Sequence, residues 1–199
     1  MFIQWCLKGI AERPGFSDAE AEDLLRTGIK SNWLYNNPTM PIEQAIPTVQ
    51  GMLSLSALER HVNNYAAVRT TSPYISLSAG VVVPHTALGT RKFPAWRSAL
   101  DFATAFGRAD GYIYRLWTIV TQKPSPGLMN VSDEIRNLNL FRSAWKYQHQ
   151  GEITAKLVIP PAQIEYVIKV GANRKLTPFR RDNGNFVKPD TISNLLVEI

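Results

Sequence analysis

Gln150-Gly151-Glu152-Ile153-Thr154-Ala155-Lys156-Leu157-Val158-Ile159-Pro160-Pro161-Ala162-Gln163-Ile164-Glu165-Tyr166-Val167-Ile168-Lys169-Val170 is the stretch on which the fold turns. Glu152 to Ile159 reads as a strand, Pro160-Pro161 forces a turn, and Ile164 to Val170 reads as a second strand. Glu152 opens the first of these after a polar loop. A glutamate at a strand edge is commonly just solvated, so its position leaves a structural and a chemical role open.

Upstream, Gly111 to Thr121 carries Tyr112, Ile113, Tyr114, Leu116, Trp117, Ile119 and Val120, an aromatic and β-branched density that argues for a buried strand. On that strand Tyr114 and Trp117 read as core. Lys123 to Gly127 is a Pro/Gly/Ser-rich loop, followed by a mixed segment to Gln148. Ala95 to Phe106 reads as a helix with Trp96, Ala99, Leu100, Ala103 and Phe106 on one side. Tyr74-Ile75-Ser76-Leu77-Ser78 alternates as a strand does, and Gln50 to Tyr65 reads as a helix with Leu53, Leu58 and Val62 among its apolar positions. Pro38, Pro41 and Pro47 break the preceding chain into loop. Ser17-Asp18-Ala19-Glu20 has the form of a helix start, with Glu20 third after the cap residue; that helix runs to Gly28, or Leu24 to Thr27 is already strand. The last thirty residues read as looser and basic around Pro178. Early helices and a strand-rich second half predict an α+β fold.

The chain has 199 residues, of which 45% are hydrophobic and 19% charged, proportions of an ordinary globular domain with a sizeable core. Cys6 is the single cysteine; no internal disulfide is possible, a reducing compartment is the easier home, and its apolar neighbours favour a buried thiol over a nucleophile. No apolar run is long enough to cross a bilayer, and the apolar start lacks the features of a signal peptide, so the expected location is the cytoplasm, or a target-cell cytoplasm after delivery, with no membrane partner. The formal charge of +6 favours an anionic partner such as nucleic acid or phosphate. No Gly-rich phosphate loop or nucleophile-elbow motif is present, and three histidines with one cysteine make a metal site improbable.

Four features stand in a fixed order: Arg26 in Leu25-Arg26-Thr27-Gly28, His61 in Arg60-His61-Val62, the pair Ser76 and Ser78, and Gln150-Gly151-Glu152. Together they resemble the arginine–serine–glutamate class of mono-ADP-ribosyltransferases, whose members include the cholera and heat-labile enterotoxins and pierisin-like toxins. In that family an early strand carries an arginine that grips NAD, a Ser-Thr-Ser strand braces the site, and a Gln/Glu-x-Glu motif supplies the catalytic glutamate. Leu77 stands where the threonine is usual. Glu152-Ile153-Thr154-Ala155, then Ile159-Pro160, then Gln163-Ile164 is similar to the enterotoxin segment after its glutamate.

The resemblance implies an ADP-ribosyltransferase-like split, strongly curved β-sandwich, with helices mainly in the N-terminal half. It implies residues 1–170 as the catalytic domain, with 171–199 a basic extension packed on it. NAD is the donor substrate and no metal is needed. Glu152 would stabilise the positive charge that develops on the ribose as nicotinamide departs, where a fixed carboxylate helps the transition state more than the ground state. Gln150 would join Glu152 in the catalytic motif, Ser76 would hold the Glu152 carboxylate, Ser76 and Ser78 would brace the NAD site, His61 would order the pocket, and Arg26 would bind NAD phosphate or ribose. Gln150 resembles the branch that modifies DNA guanine or a protein asparagine or glutamine. Arg142, Trp145, Lys146 and Tyr147 would then present the acceptor, with DNA or RNA favoured over protein because aromatics stack on bases and cations meet phosphate. Two other readings stand beside transfer: NAD glycohydrolysis, and a non-enzymatic nucleic-acid-binding module. For single residues, Arg26 is equally a solvated last-turn cation, His61 an ordinary helix residue, and Ser76 and Ser78 the polar face of a half-buried strand.

Overall fold

The computed structural model describes residues 2–85, 89–121, 134–137 and 152–189. Its centre is a pair of long antiparallel strands, β1 (Phe2–Ala11) and β6 (Gly111–Thr121), matched residue for residue from Phe2↔Val120 to Ala11↔Gly111. β3 (Tyr74–Ser78), β7 (Glu134–Asn137), β8 (Glu152–Lys156), β10 (Ile164–Val170) and β11 (Leu176–Asp182) complete a seven-stranded sheet in the order β1-β3-β8-β7-β6-β10-β11. β6 and β7 run parallel and the other pairs antiparallel. Because β1 bonds to β6 along its length and to β3 at Leu7↔Ser78, the sheet curls until its two halves meet at β1. Two short two-stranded antiparallel sheets complete the strands, β2 (Ile29–Lys30) with β9 (Val158–Ile159), distant in sequence, and β4 (Val81–His85) with β5 (Gly89–Phe93).

The α+β class is the one expected, and five of the six described α-helices precede residue 70: α1 (Asp18–Thr27), α2 (Asn32–Tyr35), α3 (Ile42–Gln50), α4 (Leu55–Asn63) and α5 (Tyr65–Val68), with α6 (Ala95–Ala103) later. α1 starts at Ser17, whose amide and hydroxyl both meet the Glu20 carboxylate, and ends at Gly28, so Leu24 to Thr27 is helix and not strand. Its Ala21 and Leu25 pack into the main core with Tyr112, Tyr114 and Val167. The phenol of Tyr112 donates to Asp18 at 2.6 Å and that of Tyr114 to the Ala21 carbonyl at 3.0 Å, tying the helix to β6 by groups that burial would otherwise orphan.

α6 lies so close on the central pair that a methyl group at Gly9 would sit 2.0 Å from the Ala99 carbonyl oxygen, and one at Gly111 1.8 Å from that of Ala103. The two glycines and the two alanines are therefore one packing device. The helix ends at Ala103; Ala105 and Phe106 turn into left-handed backbone, and Phe106 is exposed where the sequence pattern put it on the apolar side.

Four further expectations are corrected. Pro47 lies inside α3, whose Ala45 and Val49 pack against Trp33, Leu34 and Leu157; that burial outweighs the lost amide donor. Gln50 to Tyr65 is not one helix, since Ser54 caps a new one, its hydroxyl accepting from the Ala57 amide at 3.1 Å. Glu152 to Ile159 is not one strand. Leu157, fully buried with φ +58, donates to the Pro73 carbonyl at 2.7 Å and accepts from the Ser31 amide at 2.6 Å, which ends β8 and starts β9. The stretch read as loose after Val170 contains β11, a strand at the sheet's edge, where Pro178 is tolerated because no further ladder is needed. Among the described residues no helix is long and apolar enough to cross a membrane.

Candidate active site

β8 lies beside β3 with Ser78 opposite Glu152 and Ser76 opposite Thr154, so the serines and the carboxylate occupy one face of one strand pair. β1 adds a third strand, Leu7 being opposite Ser78, which brings the neighbouring Lys8 up to Glu152. α4 lays His61 over the same place because Leu58 and Val62 on its inner side are buried against Leu53 and Tyr74.

The resulting cluster is continuous. His61 is 3% exposed; its Nδ1 lies 2.6 Å from the Ser72 hydroxyl and its Nε2 lies 2.9 Å from the Ser76 hydroxyl. Ser76 in turn bonds the Glu152 carboxyl, itself 9% exposed. Tyr65 meets the His61 ring edge-on at 5.3 Å and Tyr74 flanks it at 5.6 Å.

Electrostatically the three ionisable groups oppose one another. Burial raises the Glu152 carboxyl above the ordinary glutamate range, while the Ser76 hydroxyl and the charge of Lys8 pull it down. Burial pulls the half-buried Lys8 ammonium down to about 8, against the attraction of Glu152. Burial, then the charge of Lys8, pushes His61 down to about 4, so the imidazole is neutral at physiological pH. The site thus offers a buried carboxyl group, a lysine amine beside it, a neutral imidazole and the hydroxyls of Ser72, Ser76 and Ser78 on rigid elements. Such a set can bind an anionic, hydroxyl-rich ligand and stabilise positive charge developing next to the carboxylate.

Of the residues singled out from sequence, Glu152, Ser76, Ser78 and His61 are brought together. Arg26 is not. It stands on the last turn of α1, its side chain 75% exposed and paired with Asp23, where a cation suits the helix C-terminus. It lines an open depression with Leu25, Arg181 and Asn183 that includes none of Lys8, His61, Ser76 or Glu152. The cation beside the carboxylate is Lys8, which the motif reading passed over. Its signal was the aromatic, β-branched density of Phe2-Ile3-Gln4-Trp5, which marks a strand as plainly as that of β6. Ser72 was missed as well, being a single serine in a polar stretch. Gln150, Arg142, Trp145, Lys146 and Tyr147 lie outside the described residues. Cys6 is buried, and burial pushes its thiol up. No three His, Cys, Asp or Glu side chains come together among the described residues.

This architecture matches that of EcPltA, with a TM-score of 0.52 over 98% of both chains at 14% sequence identity. The fold is that of the ADP-ribosyltransferase toxins. Two weaker likenesses are an arginine-to-lysine mutant of heat-labile enterotoxin (TM-score 0.45, 17% identity, 92% of this chain and 75% of that one) and nicked CARDS toxin (TM-score 0.49, 10% identity, 96% and 32%). No description of a protein family matches the sequence. No curated protein matches it either.

Proposed function

We propose that the chain is a toxin- or effector-type mono-ADP-ribosyltransferase that takes ADP-ribose from NAD. One observation carries this reading: on an ADP-ribosyltransferase-toxin fold, a buried carboxylate, Glu152, is held by the Ser76–His61 pair with a cation, Lys8, beside it.

NAD, as donor substrate, supplies a ribose bond that cleaves with positive charge on the sugar. Glu152 faces that charge and accepts hydrogen bonds from ribose hydroxyls. Its low-dielectric seat makes the electrostatic help larger than it would be in water. Ser76 holds the carboxylate from the neighbouring strand. Lys8 takes the role first sought in Arg26 and meets phosphate or ribose oxygen as a point charge. No metal ligand set is required for these steps. The acceptor is a macromolecule, and the basic charge with Arg142, Trp145, Lys146 and Tyr147 ahead of Gln150 favours DNA or RNA over protein.

The test is incubation with NAD labelled on its adenylate, in the presence of separate DNA, RNA and protein pools, for the wild type and Glu152→Gln. Nicotinamide release that depends on Glu152, with label entering one pool, is the expected result. Release with no label transferred assigns glycohydrolysis instead. No release from any mixture, with salt-sensitive nucleic-acid binding that survives Glu152→Ala, assigns a non-enzymatic binding module and ends the transferase reading.

A further inference from the structure

We propose that Ser72 is a positioning residue that sets the tautomer of His61 and so aims the Ser76 hydroxyl at Glu152. The inference rests on the hydrogen-bond bookkeeping of one buried chain; only its kinetic consequence depends on the function proposed above.

Ser72 stands at the end of the hydrogen-bonded chain remote from Glu152. Ser72 is 4% exposed, and its Oγ accepts the Tyr74 amide hydrogen at 3.2 Å. That same oxygen lies 2.6 Å from His61 Nδ1. With one acceptor site taken by an amide that can only donate, the Ser72 hydrogen is free for Nδ1, and a neutral imidazole that accepts at Nδ1 carries its proton on Nε2. Nε2–H then donates to Ser76 Oγ across 2.9 Å. Ser76, its oxygen occupied by that donor, turns its own hydrogen to the Glu152 carboxylate, which in its ionised form can only accept. Every donor in the order Tyr74 amide, Ser72, His61, Ser76 has an acceptor, and the chain ends on the anion. The reverse order has His61 donating from Nδ1 to Ser72. It gives that oxygen two donors and, among the described residues, leaves its hydrogen unplaced in a buried site, where an orphaned donor costs about 1–3 kcal/mol.

The groups around His61 support a fixed neutral ring. Lys8 disfavours the imidazolium, Tyr65 and Tyr74 present ring edges and faces with no charge, and Glu152 is separated from it by Ser76. Neutrality leaves two tautomers, and Ser72 is the group on the far side of the ring that selects between them. From the near side Ser76 favours the same tautomer only while its single hydrogen is held by an ionised Glu152, whereas Ser72 selects it whatever the state of that carboxyl.

Nitrogen NMR of histidine-labelled protein, with His61 assigned by difference against His61→Gln, reads the tautomer directly. The wild type is expected to show a protonated Nε2 and an accepting Nδ1 at pH 7.5. A protonated Nδ1 there overturns the proposal without any variant. In a Glu152→Gln background, whose amide can donate to Ser76 as well as accept from it, Ser72→Ala is expected to mix the tautomers and to raise the His61 titration, while Ser72→Thr, which keeps the hydroxyl, restores both. A Ser72→Ala ring that stays wholly Nε2-protonated in that background also overturns it. Where NAD is cleaved, Ser72→Ala lowers kcat about tenfold with KM retained, as expected for one lost orienting hydrogen bond, and Ser72→Thr recovers it. Absence of NAD cleavage in the wild type removes the enzyme reading but leaves the tautomer result standing.

Discussion

His61 makes the acid stability of this protein calculable. An imidazole that titrates near 6.5 in an unfolded chain titrates at about 4 in its buried seat, mainly because burial disfavours the cation and then because Lys8 repels it. The folded-state value is depressed, so the unfolded chain binds the proton more tightly. The stabilisation is whole above 6.5, declines as pH falls toward 4, and is exhausted below that. At ~1.4 kcal/mol for each pH unit between the two values, His61 accounts for about 3 kcal/mol lost on acidification, a large part of the 5–15 kcal/mol typical of a domain. Urea unfolding from pH 7.5 to 4 in a Glu152→Gln background, which silences the adjacent carboxyl, isolates this contribution when the same series is run on Glu152→Gln/His61→Gln. The difference in unfolding free energy between the two proteins is expected to shrink by about 3 kcal/mol toward pH 4. A difference that does not change with pH would show that the ring is solvated in the fold, and one that grows toward pH 4 that it is held charged; either refutes the buried, neutral imidazole.

Glu152→Gln is expected to lower kcat for nicotinamide release by about a hundredfold or more. It should also raise the melting temperature at pH 8, because a carboxyl titrating above 4.5 costs stability as pH rises through and beyond that value; thermal unfolding at pH 5 and 8 checks the sign. NAD affinity is expected to weaken as Lys8 loses its proton near pH 8, by roughly severalfold between pH 7 and 9, and to stay level in Lys8→Arg, whose guanidinium does not titrate there; calorimetric titration separates the two profiles. Gly9→Ala and Gly111→Ala each drive a methyl group into backbone carbonyls of α6 that cannot swing aside, and each should cost about 3 kcal/mol in chemical denaturation or prevent folding, while Gly184→Ala, with open space around it, should cost far less. Arg26→Ala should leave nicotinamide release unchanged, since its side chain is exposed and bound to Asp23.

Local chemistry was legible where local chemistry decides. Tyr74–Ser78, Gly111–Thr121 and Ile164–Val170 are strands with the limits their composition implies, and Ser17 and Gly28 bound a helix as cap residues should. His61, Ser76 and Glu152 meet in space because β3 and β8 are paired and α4 packs its inner side against Tyr74 at the start of β3. Arg26 failed for a reason no motif could supply. Which cation reaches Glu152 is set by the Leu7↔Ser78 and Ser78↔Glu152 registers, pairings between segments some 70 residues apart in sequence. Pro47 and Leu157 failed for the opposite reason: a strong local preference was overridden by the burial of Ala45 and Val49, on the helix that carries Pro47, and of Leu157 itself in one cluster with Trp33 and Leu34.

The cluster also argues for its own purpose. A chain selected only for stability would not seal a glutamate, a histidine and part of a lysine into one seat, since an apolar trio of similar volume usually holds a fold at least as well. Here each of the three is displaced in the direction that disfavours its charge, and Glu152 and Lys8 each partly rescue the other. The hydroxyls of Ser72 and Ser76 complete a chain with a direction, ending on the carboxylate. Shifts of this kind, concentrated on rigid strands and one helix, are what a site needs when it must present an undersolvated anion to a developing cation. Conversely, the exposed pairs elsewhere, Arg26 with Asp23 and Arg180 with Asp182, keep their charges in water and take a partner two or three residues away along the chain.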